Sequence, residues 1–431
     1  MALSDPISLE PLDAPLTALI DHARRAGADA ADALGLYGRS GSISVRGGEL
    51  EDIDNAEGFD IGLRVLVGQR QACVSSSDLS PSAIQRLAER AVAMARLAPE
   101  DPYCGLAPEA RLSSRRTGDG QELIDPVTVD PTTLKTRALE AEAAALNVPG
   151  VRQAEGAQAS YAWSAVRLRT SAGFDGGYAT SRHGLSGSAV AERDGAMERD
   201  YDHDSTRWFS DLRTQESVGR EAGARAIARL GAQSMPSSAL PVIFDRRVSN
   251  SLVGALIGAI RGNAVARGVS FLKDDLGSQL FADDIQIVED PLQVRGLSSR
   301  PFDGEGVATE PFDIIRNGTL TSWLLNVSAA RQLGLETTGH GARGLSSPPG
   351  ISTSNVALLP GALSPEALIQ ETGHGLIVRE MFGPSLNPTT GDYSVGISGF
   401  AIENGQIAYP VSEVTIAGNL RDVFRSLRPA S

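Results

Sequence analysis

The order of apolar and polar positions divides this chain into helical and alternating stretches. From Leu16 to Leu34, LTALIDHARRAGADAADAL places Leu16, Ile20, Ala23 and Ala30 on one side, which predicts an amphipathic helix. The next stretch, SISVRGGELEDIDNAEGFDIGLRVLVGQRQACVSSSD (42–78), alternates apolar and polar residues as half-buried strands do. Gly47-Gly48, Glu57-Gly58 and Val67-Gly68 are its expected turns. Ser80 then stands as a cap and Pro81 at a first helical position, and Ile84, Leu87, Ala88, Ala91, Val92 and Ala95 mark the buried side of a second helix.

Residues 98–132 are rich in Pro, Gly and Ser and predict a connection over the surface. A helix over 133–146, TLKTRALEAEAAAL, opens a second unit, and SYAWSAVRLRTSAG and GLSGSAVAERDGAMERDYDHD continue it as antiparallel strands. A further break falls at SMPSSALPV (234–242), ahead of a buried strand, PVIFD. The reading is an α+β protein in three parts: an N-terminal helix–sheet unit (1–105), a middle unit (106–233) and a larger β-rich C-terminal domain (234–431). Two pentapeptides, TTGHG (337–341) and ETGHG (371–375), echo one another, but their flanks share nothing, so no repeat architecture follows.

At 431 residues, with 41% hydrophobic and 21% charged side chains, the composition is that of a multidomain globular protein and excludes a disordered or fibrous one. The 39 Lys and Arg against 53 Asp and Glu give a net charge of −14, and no basic run is present. A phosphate backbone is gripped by basic patches, so direct nucleic-acid binding is not expected. The two cysteines, Cys73 and Cys104, have no metal or redox spacing. MALSDPISLEPLDAP lacks a basic start followed by an apolar core, and the longest apolar run, LVGALIGAI, is too short to cross a bilayer. A cytoplasmic protein without membrane contact is expected.

Three groups of residues have the atom types for chemistry. His340 and His374, with Glu371 and Glu380, could ligate a metal, although glycines on either side of each histidine favour loop histidines. Asp200, Asp202 and Asp204 around His203 match the first half of a calcium loop. Ser205 then stands where the loop needs Gly, and Asp211 where it needs Glu, which favours a solvated strand end. In EDPLQVRGLSSRPFDGEGVATEP (289–311), Asp303, Glu305 and Glu310 could serve as acid and base or contact a substrate, while Asp-Gly and Glu-Gly are also ordinary turn pairs. There is no G-x-S-x-G elbow and no phosphate-binding P-loop.

The C-terminal run GLIVREMFGPSLNPTTGDYSVGISGFAIENGQIAYPVSEVTIAGNLRDVF (375–424) resembles the signature end of the TldD/PmbA family of peptidase-related proteins. GFDIGLRVLVG, SFLKDDLGSQLFADDIQIVEDP and RPFDGEGVATEPFDIIRNGTLTSWLLNVSAARQLGLETTG agree in order, so the resemblance spans nearly the whole chain. It implies one of two branches. The TldD-like branch is a zinc peptidase with H-E-x-x-x-H on a helix and a Cys ligand. The PmbA-like branch, also called TldE, is its partner in a heterodimer that digests unfolded or short peptides in a closed cavity.

Alignment on ARGVS (266–270) sets VGALIG (253–258) against the zinc motif, with Val253 and Gly258 at the histidines and Gly254 at the glutamate. Val and Gly offer neither a lone pair nor a proton acceptor, so the resemblance is to the PmbA/TldE-like branch, with a vacated site on this chain. It implies no cofactor here and zinc in a TldD-like partner, and it leaves open whether the chain forms a homodimer when that partner is missing. Arg261 and Arg267, just beyond, are candidates for contact with a partner or a substrate carboxylate, or simply favourable charges at a helix end. Two alternatives stay open. One is a free-standing homodimeric metallohydrolase with a metal relocated to His340, His374 and Glu371. The other is an indirect effect on DNA gyrase through a toxin–antitoxin pair.

Overall fold

The computed structural model describes residues 8–431. Of the N-terminal segment read above as lacking a leader, Met1 to Ile7 lie outside the described residues. The chain opens with α1 (Glu10–Arg25), whose Leu12, Leu16, Leu19, Ile20 and Ala23 form one buried stripe. The helix expected over 16–34 ends at Arg25, because Gly27 takes a φ of +98° and turns the chain. The alanine-rich stretch beyond it is strand β1 (Ala30–Arg46): pairing on both edges overrides its helical propensity.

β2 (Glu49–Val67) returns from the Gly47-Gly48 turn and runs straight through Glu57-Gly58, where a turn was expected; Gly58 pairs with Gly38 in register. β3 (Arg70–Ser76) follows the turn at Gly68, then α2 (Pro81–Leu97) with the predicted buried face. After an irregular connection come α3 (Pro131–Leu146), three long strands, β4 (Val151–Thr170), β5 (Asp175–Arg193) and β6 (Ala196–Thr206), and α4 (Gln215–Arg229). The first two units share one antiparallel sheet, ordered β3-β2-β1-β4-β5-β6, through the β1–β4 pair.

Side-chain alternation gives that sheet two different neighbours. Ala31, Ala33, Ile43 and Val45 of β1 face the helices, whereas Leu34 faces the C-terminal part, packing with Leu168, Phe174 and Phe302. On the helical side, α3 and α4 cross closely at Gly219, where an added Cβ would lie 2.0 Å from the Ala141 carbonyl oxygen. Backbone cannot yield as a flexible side chain can. Gly219→Ala is therefore expected to cost about 1–3 kcal/mol, read as a lower denaturation midpoint. An unchanged midpoint would mean that the two helices separate freely.

The C-terminal part begins with β7 (Val242–Phe244), α5 (Asn250–Ala259) and α6 (Gly262–Ala266). β8 (Ile287–Asp290), β9 (Phe312–Arg316) and β10 (Thr319–Leu320) precede α7 (Val327–Leu333), and the short strands β11 (Gly341–Ala342), β12 (Gly350–Ile351) and β13 (Asn355–Leu358) lead to α8 (Pro365–Thr372). β14 (Gly375–Leu386), β15 (Asp392–Glu403), β16 (Gln406–Asn419) and α9 (Leu420–Ser426) complete it. Two four-stranded sheets result, β10-β9-β8-β13 and β16-β15-β14-β7, the second with β7 parallel to β14. Leu252, Leu256 and Ile257 of α5 lie in the large core with Phe281, Trp323 and Phe424. Among the described residues no helix is long and apolar enough to cross a membrane.

Candidate functional site

The segment read above against a zinc motif is a helix, and the positions set against the ligands are apolar. α5 buries Leu252, Leu256 and Ile257, half-buries Val253, and turns Gly254 and Gly258 outward. A Cβ built on either glycine would meet no atom within 4 Å, so neither is needed for close packing with the rest of the chain. Val253, Gly254 and Gly258 supply no donor atom for zinc and no base for its water; this helix does not fit the metal. Arg261 and Arg267 are both exposed and make no ion pair among the described residues; the Arg267 Nε donates to the Asn263 carbonyl at 3.0 Å.

The relocated metal set is not brought together. His340 is buried: its Nε2 lies 2.8 Å from Glu289 Oε2, and its Nδ1 lies 2.8 Å from the Thr338 hydroxyl. Burial pushes the Glu289 carboxyl up, but His340 and the Ser354 N–H and hydroxyl outweigh it and hold the pKa below the ordinary value. His374 is exposed, Glu371 pairs with Arg428 at 2.8 Å, and Glu380 pairs with Arg229. Among the described residues no group of three or more His, Cys, Asp or Glu could hold a metal. Cys73 and Cys104 are free, half-buried thiols whose pKa values burial raises.

The three aspartates of RDYDHD form neither a calcium loop nor a solvated strand end. They lie on β6, where Asp200 and Asp202 are buried and taken by arginines: Asp200 by Arg247 at 2.8 Å, Asp202 by Arg213 at 2.6 Å and Arg225 at 2.8 Å. Asp204 caps the Ser205 and Arg213 N–H groups. The carboxylates are spent on holding β6 to α4 and the C-terminal part.

Asp303 and Glu305 are buried too, only 1% and 5% exposed, so they do not meet substrate at the surface. Glu310, the third acid of that stretch, is exposed and pairs with Arg115 at 2.7 Å. Asp303 accepts from the N–H groups of Glu305 (2.8 Å), Val307 (2.9 Å) and Gly341 (2.7 Å), while among the described residues Glu305 accepts only from Val327 at 2.8 Å. Burial raises both carboxyls. At Asp303 burial outweighs the three N–H donors, and burial together with the neighbouring Asp303 pushes Glu305 up to about 8, so Glu305 holds its proton at neutral pH.

Beside them runs an ion-pair chain that the periodicity of the sequence does not reveal. Asp32 on β1 receives Arg64 Nε at 2.5 Å and Arg343 Nε at 2.8 Å, and all three side chains are at least 96% buried. Burial alone would raise the Asp32 carboxyl; the two guanidinium groups outweigh it and hold the pKa below the ordinary value. Gly62 admits the 343–347 loop here, since a Cβ would lie 2.3 Å from the Leu345 carbonyl oxygen. One signal was available in the sequence: Arg64 interrupts an otherwise apolar GLRVLV run, a place where a charge needs a partner.

The fold and this inventory define a three-part α+β protein with a buried Arg64–Asp32–Arg343 cluster between its first sheet and its C-terminal part. Matches to the three domains of the PmbA/TldA metallopeptidases, domain 1 over residues 31–95, the central domain over 124–230 and the C-terminal domain over 237–431, place it: the chain belongs to this family. It is 40% identical to Metalloprotease PmbA of Escherichia coli O157:H7 over 90% of this chain and 84% of that one. In fold it is similar to a Bacteroides thetaiotaomicron protein solved as a candidate modulator of DNA gyrase (TM-score 0.89, 24% identity, covering 98% of this chain and 94% of that one). It is similar likewise to TldE of Thermococcus kodakarensis (TM-score 0.84, 21% identity, 96% and 93%).

Proposed function

We propose that this chain is the PmbA/TldE-like, non-zinc subunit of a cytoplasmic TldD/TldE-type metallopeptidase complex that degrades or processes unfolded and short peptides. The observation that carries the reading is α5, whose Val253, Gly254 and Gly258 supply no metal donor while Gly254 and Gly258 open to solvent. Zinc and its activated water then belong to a TldD-like partner. This chain shapes the chamber and holds extended peptide by strand pairing, a mode that reads backbone and tolerates many sequences. Arg261 and Arg267, exposed beside α5, are the proposed contacts to the partner or to a substrate carboxylate.

The test is zinc content and cleavage of an unfolded polypeptide, measured for the purified chain alone and after mixing with a TldD-like protein from the same organism. Zinc and cleavage confined to the mixture are expected. Stoichiometric zinc with cleavage by the chain alone would overturn the subunit reading.

A further inference from the structure

A cavity of about 270 Å³ lies where α4 and β6 meet the β14–β16 sheet. Ala224, Ala228, Phe400, Ile407, Pro410 and Val411 make most of its wall apolar. Pockets for drug-sized ligands begin at roughly 300 Å³, so this one suits a single side chain with its attached polar group.

Four arginines reach the wall, and three of them are largely buried and paired with acids. Arg225 pairs with Asp202 and Glu221, Arg247 with Asp200, and Arg229 with Glu380, Glu198 and Asp200. Arg379 differs. Its Nη1 reaches Asp245 at 3.2 Å, while its Nε is buried with no hydrogen-bond partner among the described residues, and its guanidinium lies 5.6 Å from the Phe400 ring. Arg379 is also the most exposed of the four, 32% against 10–20% for the others, so the accessible part of its guanidinium is what a carboxylate in the cavity would meet.

An occupant must therefore bring an apolar group and an anion within one residue. Within a peptide, the unit that joins them most closely is an apolar C-terminal residue, whose α-carboxylate sits one carbon from its side chain. An internal residue has no such anion.

We propose that this cavity binds the apolar C-terminal residue of a peptide, with its side chain against Phe400, Ile407 and the α4 alanines and its carboxylate on Arg379. The proposal rests on the peptide-holding reading above and adds to it an anchor for chain ends. Ala228 is exposed on α4, so enlarging it fills the cavity without disturbing the core.

The experiment is calorimetric titration of the full chain with N-acetyl-glycyl-leucine, its C-terminal amide and free leucine. The same titrations are run on Arg379→Gln and Ala228→Phe, with thermal midpoints as the folding control. The free acid is expected to bind, and the amide to bind about tenfold weaker or less well still. Arg379→Gln should bring the acid down to the level of the amide, and Ala228→Phe should abolish binding at an unchanged midpoint. Equal binding of acid and amide, no binding of the acid, acid binding that survives Ala228→Phe, or free leucine binding as well as the acetylated dipeptide would each overturn the proposal. A long unfolded peptide with an amidated end separates the two readings. Its binding, unchanged by Ala228→Phe, retains peptide holding after the anchor has failed, and its failure to bind removes peptide holding itself.

Discussion

Asp32→Ala is expected to destabilise the chain by about 3–5 kcal/mol, the range found when one partner of a buried ion pair is removed. The side chain left behind is not one arginine but two. Arg64 comes from β2 and Arg343 from the C-terminal part, and both lie below 5% exposure. Neither can neutralise itself by losing a proton within the accessible pH range, so the positive charge stays buried without a counter-ion. Arg343 already carries an Nη2 without a hydrogen bond among the described residues, which leaves the cluster little slack. Equilibrium denaturation in urea measures the loss. Asp32→Asn should fall in between, since an amide oxygen still accepts a hydrogen bond but brings no charge. A loss below about 1 kcal/mol for Asp32→Ala would mean that water screens the cluster as it screens a surface pair.

The second large effect is a pH dependence centred on Glu305. Its carboxyl ordinarily titrates at 4.5 and in the folded chain at about 8. A folded-state value above the unfolded one means that the folded chain binds the proton more tightly. The stability this contributes is complete below the unfolded value and is lost as pH rises through the folded one. Between pH 4.5 and 8 this group therefore makes the wild-type chain progressively less stable, by on the order of a few kcal/mol in total. Glu305→Gln retains an oxygen for the Val327 N–H and cannot ionise. The variant is expected to match the wild type near pH 5 and to exceed it at pH 9, as measured by denaturation midpoints across that range. Parallel curves would show that Glu305 is already ionised in the folded chain at neutral pH.

The two effects meet at one place. Arg64 faces both Asp32 and Glu305, so a proton lost from Glu305 adds negative charge beside the ion pairs that join the first sheet to the C-terminal part. Arg64 partly offsets that charge, and burial opposes it more strongly.

Local periodicity makes several elements legible in the sequence. The second helix keeps the predicted buried face from Ile84 to Ala95, because six apolar residues at helical spacing can be buried only on one side. The end of the first helix is not legible in the same way, since ADAADAL has the propensity of a helix and the pairing of a strand, and pairing is a long-range fact. The same limit hides the sites. RDYDHD shows three carboxylates in a row but not the arginines at 213, 225 and 247 that consume two of them. FDGEG shows two acids in turns but not the closure that leaves one of them protonated.

What the sequence by itself determined is the family resemblance carried by its long C-terminal run and the chemistry missing at Val253, Gly254 and Gly258, because a side chain without a lone pair ligates nothing in any fold. Tertiary structure alone decided that one sheet spans the first two units, that Asp32 meets an arginine 311 residues further on, and that Arg379 lines an apolar cavity. Each of these depends on which distant backbones come within a few ångströms, and neither periodicity nor composition carries that distance.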